Sequence, residues 1–246
     1  MSGVPLVIAA GGAPVIPTFS SPHNSCVTST TALFCWSWVK HNWSSQLQPG
    51  LLQHIELTVI AVAIGLVIAL AAAVVAYYHG WFERGFLGVF SVLYTIPTIA
   101  FFELIAPDTG LGMLTVELGL VGYTLLVLFR NTITGLWSVA PGILASARGM
   151  GMTDRQILFR VNFPIALPSI MAGIRVATVT TIGLATIAAY VAPLGLGQMI
   201  FDGIYNTFKT ELIAAGGLAI VLALVADVLL VFLQRALAPW ARPRMR

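Results

Sequence analysis

Few side chains in this sequence can do chemistry, and most of those lie within apolar surroundings. Asp227 falls deep in one apolar run, Glu117 about two turns into another, and Glu103 and Asp108 near the end of a third. A charge in hydrocarbon is expensive, so each is a functional candidate. Glu103, Asp108 and Glu117 could form an outer vestibule attractive to a cation. In the alternative, Glu103 and Asp108 reach for the interface while Glu117 is paired or protonated. The pattern leaves both readings open. Arrangements for bond-breaking are not found. Cys26 and Cys35 have neither CxxC nor His/Cys spacing, so no metal site is expected. An oxidising exterior would let them pair, and two unpaired thiols near a membrane surface fit the sequence equally well. The Asn42-Trp43-Ser44 sequon arises too easily by chance to carry weight. A Walker A loop needs Gly-Lys-Ser/Thr, yet neither lysine, Lys40 or Lys209, follows a glycine. The chain is therefore expected to lack its own ATPase site and any bound cofactor.

The elements that must position these residues are set by composition. Of 246 residues, 58% are hydrophobic and 9% charged, and the mean hydropathy is +0.93. Soluble domains carry roughly 25% charged residues. Twelve basic and nine acidic residues cannot cover a soluble surface of this size, which excludes a soluble enzyme, a nucleic-acid binder and a disordered chain. Five runs, 55–78, 86–106, 111–129, 170–191 and 212–233, are long and apolar enough to cross hydrocarbon as helices. Alternating barrel strands are not seen. The expectation is an all-α, polytopic membrane bundle of about five spans, with a sixth as the alternative.

Basic residues set the orientation. Arg84, the group Arg130, Arg148, Arg155 and Arg160, and the group Arg235, Arg242, Arg244 and Arg246 all fall on one side of a five-span topology. Lys40 and Lys209 fall on the other, with Arg175 counted as a cytoplasmic helix end. The loop 130–169 and the C-terminus are therefore expected in the cytoplasm, and residues 1–50 outside as an interfacial or partly disordered leader. Residues 51–237 form the transmembrane domain and 238–246 a basic tail.

Within the loop, Pro141, Ile143, Leu144 and Ala147 suit a short helix that Gly149 is placed to end. Thr153 and Gln156 match a capping box, with Asp154 favouring the positive helix end. Ile157, Leu158 and Val161 give a second apolar stripe before Pro164, which is expected to stop the helix. A short amphipathic helix at the bundle mouth either lies on lipid or fits a groove on a partner.

The run Ala145-Ser146-Ala147, Gly151, Val161, Phe163-Pro164 resembles the EAA motif of ABC importer permeases. Ala145 stands where that motif carries a glutamate, which removes one carboxylate from the expected contact. The ordered series His54-Ile55-Glu56-Leu57-Thr58, Tyr94-Thr95-Ile96-Pro97-Thr98, Leu128-Phe129-Arg130-Asn131-Thr132, Gly149-Met150-Gly151-Met152-Thr153, 166–175 and Gly195-Leu196-Gly197-Gln198 is similar to glycine betaine/carnitine/choline permeases of osmoprotectant importers. It spans about three quarters of the chain, roughly 48–237. The resemblance implies a bundle of the type I importer kind, driven by a cytoplasmic ATPase dimer that holds the ATP and Mg. A second permease copy or a paralogue completes the pore, and an extracytoplasmic binding protein delivers a small solute across the lipid bilayer of a bacterial cell. No nucleic acid takes part. It places Ala147, Arg148, Gly149, Gly151, Asp154 and Arg155 at the ATPase contact.

For the translocation path or gate, Thr95, Pro97, Asn131, Thr181, Gly195, Gly197 and Asp227 are the candidates. Pro97 is expected to kink span two. Gly65, Ala69 and Ala73, and Ala177, Thr181, Ala185 and Ala189, recur every four residues, a spacing that permits close helix packing more readily than it marks a pore stripe. Thr178, Thr180, Thr181 and Thr186 either line a polar path or bond to their own helix. Tyr94, Tyr123, Tyr190, Phe101 and Phe102 are read as packing residues and not as a cation box. The interrupted segment 193–209, broken by Gly195, Gly197 and Gly203, is a re-entrant gate, a seat for the binding protein or a plain loop. An importer for another small solute, such as an amino acid, or an ion-coupled transporter remain the alternatives.

Overall fold

The structure is a computed structural model and describes residues 34–241. Cys26 and the arginines at 242, 244 and 246 lie outside the described residues, as does most of the expected leader.

The first span begins earlier than expected. Helix α1 (Trp36–Asn42) passes through a π-turn at Trp43–Leu47 into α2 (Gln48–Tyr78), giving one continuous helix Trp36–Tyr78. Residues 36–50, expected ahead of the span, are therefore helical and continuous with it. Pro49 is tolerated inside this continuous helix because the π-turn just before it displaces the carbonyl that its ring would strike.

The second span is broken instead of kinked. Helices α3 (Gly80–Thr95) and α4 (Thr98–Thr109) meet at 102°. The physical reason is local. Ile96 precedes a proline and is extended, at φ −69° and ψ 130°, since the proline ring disfavours helix at the residue before it. Pro97 itself has ψ 132°. Two successive non-helical residues make a corner, whereas one would give a kink. Tyr123 fixes that corner by donating its hydroxyl to the Ile96 carbonyl at 2.6 Å.

Helix α5 (Met113–Trp137) runs past its expected end at 129, because nothing between Arg130 and Trp137 breaks a helix. After α6 (Pro141–Gly149), α7 (Asp154–Ile157) continues through a second π-turn at Leu158–Asn162 into α8 (Phe163–Ala188), one unbroken helix Asp154–Ala188. Pro164 thus does not stop the helix, contrary to expectation. The π-turn inserts a residue ahead of it, which displaces the carbonyl its ring would strike. Helix α9 (Gly195–Tyr205) turns into α10 (Lys209–Leu237). Counting the bent pair as one, the described residues hold up to five candidate spans, in the order that the five apolar runs predict.

The core lies where α2, α5 and α8 meet. Ala69, Ala72, Ala73 and Ala76 of α2 pack on Leu125, Leu128 and Phe129 of α5 and on Ala166, Ile170 and Ala177 of α8. A Cβ on Gly65 would strike the Thr124 hydroxyl, and one on Gly173 would lie 2.6 Å from the Asn131 Cβ. Both four-residue stripes, 65/69/73 and 177/181/185/189, are buried, so their small size brings the helices together. The hydroxyls of Thr178, Thr180 and Thr186 donate to carbonyls of their own helix, at 2.8, 2.8 and 2.6 Å. By contrast α3 buries no side chain and α10 only Thr210, Ala215 and Ala219, leaving broad apolar faces for lipid or a partner.

Candidate functional site

The two ends of the bundle and one point between them carry the polar structure. At one end, α6 closes in a Schellman motif. Met152 N–H donates to the Ala147 carbonyl at 3.2 Å and Gly151 N–H to the Arg148 carbonyl at 2.9 Å. Gly151 supplies the left-handed residue, at φ 79°, as this motif requires. Gly149, expected to end the helix, is its last helical residue, and the terminating conformation belongs to Gly151. The capping box is present in both directions: Thr153 N–H donates to Gln156 Oε1 at 2.9 Å, and Gln156 N–H to Thr153 Oγ1 at 3.3 Å. Ala147, Ile157 and Leu158 are buried and anchor the segment. Arg148, Gly149, Gly151, Asp154 and Arg155 are exposed around it, together with apolar Ile143 and Met150. The Arg148–Asp154 pair at 3.9 Å is open to solvent and holds little on its own. The result is a knob, capped at both turns, with a mixed apolar and ionic surface.

Asn162 joins this knob to the spans. It is buried in the π-turn, and its Nδ2 donates to the Tyr77 hydroxyl of α2 at 3.0 Å and to the Leu136 carbonyl of α5 at 3.5 Å. Tyr77 stacks on Trp137 with centroids 5.3 Å apart. Higher in the same seam, Ser169 donates to the Asn131 carbonyl at 2.8 Å, while the Asn131 amide bonds its own helix at Val127. The sequence singled out Asn131 but not Asn162. A lone amide beside a membrane span was the available signal.

At the opposite end, α9 is pinned to α2 and α8. The Gly195 amide donates to Gln53 Oε1 at 2.8 Å and the Leu196 amide to His54 Nδ1 at 3.3 Å, while His54 Nε2 meets the Ile182 carbonyl at 3.0 Å. Gly195 has φ 61°, and a Cβ there would lie 2.9 Å from His54 Nδ1. On Gly197 a Cβ would lie 2.5 Å from the Thr186 carbonyl oxygen. Of the three readings of this segment, the plain loop is corrected: residues 195–205 form a short helix pressed onto the bundle. Leu196 and Met199 fill the space between α1, α9 and α10, and the Cys35 amide donates to Thr210 Oγ1 at 3.0 Å.

Beside this helix opens a cavity of about 700 Å³, whose lining includes Gln46, Gln53, Glu56, Gln198, Asp202 and Glu211. Glu103, Asp108 and Glu117 are not in its wall. Glu103 and Asp108 are exposed on α4. Glu117 is buried on α5, and neither of its carboxylate oxygens has a hydrogen-bond partner. The three expected vestibule residues are thus not gathered there. Of the carboxylates that are, Glu56 of α2 falls at the start of the apolar run 55–78 and is read only as part of a motif, while Asp202 of α9 and Glu211 of α10 lie between the apolar runs.

Of the remaining path candidates, Thr95 ends α3 with its hydroxyl on the Val92 carbonyl at 2.7 Å, and Pro97 makes the corner. Thr181 is fully buried with its hydroxyl unpartnered. Asp227 is paired with Arg175; the arginine, expected at a helix end, lies near the middle of α8. Two opposite charges inside neighbouring spans were the signal for that pair. Tyr94 and Phe101 each pack edge-on against Tyr123, with centroids 5.7 Å apart, and Phe102 is buried against Gly119, as packing residues do. Among the described residues no cluster could hold a metal.

Residues 49–243 match the family of binding-protein-dependent transport system inner membrane components. The chain is 36% identical over 190 residues to the carnitine transport permease protein OpuCB of Listeria monocytogenes, covering 77% of this chain and 87% of that one. To the osmoprotectant import permease protein OsmW of Salmonella typhimurium it is 39% identical over 192 residues, covering 76% and 89%. Its fold is that of a chain of the inward-facing MetNI methionine ABC transporter, with a TM-score of 0.73 at 21% identity, covering 79% of this chain and 97% of that one. A chain of an amino acid ABC transporter solved with histidines superposes with a TM-score of 0.69 at 18% identity, covering 81% and 97%.

Proposed function

This chain belongs to the binding-protein-dependent transport system inner membrane components, and from that premise we propose that it is the permease subunit of an ATP-driven importer for a compatible solute. The solute class is a quaternary ammonium compound such as glycine betaine, carnitine or choline. One observation carries the reading: a chain matching osmoprotectant permeases over three quarters of its length presents a capped knob continuous with a membrane span.

The knob α6–α7 is the seat of a separate ATPase subunit, which holds ATP and Mg; this chain supplies no hydrolytic site. Its end of the bundle faces the cytoplasm, and the α9 end faces outward, where a binding protein delivers the solute. Two permeases, identical or related, pair around the path. Closing of the ATPases draws the knobs together. Because α7 and α8 form one helix, and Asn162 ties that helix to α2 and α5, the displacement is passed to three spans at once. Alternating access follows from such rigid-body motion. The solved methionine and amino acid transporters share the fold at low identity and so do not move the solute assignment toward amino acids.

The test is reconstitution of the chain with its ATPase and binding protein in liposomes, followed by uptake of labelled glycine betaine. Uptake that requires ATP and the binding protein supports the reading. Uptake that persists without the ATPase, driven by an ion gradient, overturns it.

A further inference from the structure

Arg175 and Asp227 form a two-pronged ion pair, Nε to Oδ1 at 2.9 Å and Nη2 to Oδ2 at 3.0 Å. Both lie well inside apolar spans, one on α8 and one on α10. Yet the pair is not sealed: its side chains keep 32% and 35% exposure and form one wall of a cavity of about 470 Å³ between the two helices. Charges at this depth do not face acyl chains, so water or protein must lie against this side. An ion pair that served only to lock two helices would gain by being closed off, since an open face lets a competing partner in. The rest of the cavity wall is mostly apolar, with Val176, Val179 and Leu224 beside Thr180.

We propose that Arg175 and Asp227 are a transit site for a zwitterionic solute, one carrying a carboxylate and a fixed cationic group. The solute carboxylate takes the guanidinium of Arg175 in the bidentate geometry that suits it. Its cationic end lies against the Asp227 carboxylate, and the methyl groups of a quaternary ammonium fill the apolar wall. Every protein charge has a counter-charge before, during and after this exchange, so no bare ion is left inside the membrane. A purely cationic solute would satisfy Asp227 but leave Arg175 without its partner, and would therefore compete less well. The inference rests on the transport reading and assigns a place within it.

The test uses the complete transporter in liposomes and a Thr180→Cys variant. Thr180 is exposed in the cavity wall and its hydroxyl bonds only its own helix. A water-soluble methanethiosulfonate reagent is applied with and without trapped nucleotide, with the wild type as the labelling background. The expected result is modification above that background in at least one state, slowed about tenfold by saturating glycine betaine and markedly less by choline. No modification in either state, or modification that glycine betaine does not slow, overturns the site. If Thr180→Cys does not assemble, Ala223→Cys on the facing helix gives the same readout. Wild-type uptake is measured in the same liposomes. Its absence is a failure of the transport reading, whereas normal uptake with an unprotected variant is a failure of the site alone.

Discussion

His54 and Leu196 are joined across 142 residues of sequence by a bond from the Leu196 amide to Nδ1 of the imidazole, at 3.3 Å. Because Nδ1 accepts, the ring proton is on Nε2, which donates to the Ile182 carbonyl at 3.0 Å. One fully buried neutral ring therefore holds α9 and α8 to α2. His54→Phe keeps an aromatic ring, a somewhat larger one, and removes both bonds. It leaves the Leu196 amide buried without an acceptor, a loss of about 1–3 kcal/mol. Thermal unfolding of the detergent-solubilised protein should show a lower midpoint. An unchanged midpoint would mean that the apolar contacts of Leu196 and Met199 hold α9 alone.

Two glycines of the upper bundle should respond in opposite directions to one methyl group. At Gly197 the methyl would meet backbone atoms of Thr186, the carbonyl oxygen at 2.5 Å and Cα at 2.9 Å, which cannot swing aside as a side chain could. Overpacking of this kind costs about 1–3 kcal/mol. At Gly183, inside α8, it would meet open space, and the gain in helix propensity is up to about 1 kcal/mol. Gly197→Ala should lower the unfolding midpoint and Gly183→Ala should hold or raise it.

The same comparison separates stability from coupling at the knob. A Cβ would meet open space at both Gly151 and Gly142, but Gly151 adopts φ 79° and closes the Schellman motif, whereas Gly142 lies within α6. A Cβ in the left-handed region costs about 1–2 kcal/mol, spent locally on the angle between α6 and α7. Gly151→Val should remain in the membrane, and the transporter carrying it should consume more ATP per solute imported. Gly142→Ala should keep the wild-type ratio. Normal ATP-driven uptake by Gly151→Val would remove the knob from the coupling path.

Asn162 can be probed by charge without change of shape. Asn162→Asp deletes the donor to Tyr77 and the Leu136 carbonyl and sets a carboxylate against that carbonyl in a buried turn. Asn162→Leu loses the same bonds but buries no charge. The aspartate variant should be the less stable of the two by about 1–3 kcal/mol or more, read as the difference in unfolding midpoint at neutral pH. Equal midpoints would show that water reaches the turn.

What the sequence determined by itself follows from burial and periodicity, which are local. Apolar runs with few charges can only be spans, so the apolar spans of the described residues, the knob with its capping box at Thr153 and Gln156, and the close packing of the Gly65 and Ala177 stripes were all legible before any contact was known. The ordered motifs likewise pointed to the family. Tertiary structure decided whatever depends on a partner distant in the chain. Pro97 announces a break, but the corner of 102° needs Ile96 extended and the Tyr123 hydroxyl, 27 residues away, to hold it. Pro164 reads as a stop until a π-turn makes room for it. Asp227 is a lone buried acid in the sequence and half of an ion pair in the fold, because only the packing of α8 on α10 brings Arg175 to it. The carboxylates Glu56, Asp202 and Glu211 come from three helices and form one cavity wall, which no spacing within a single helix can encode.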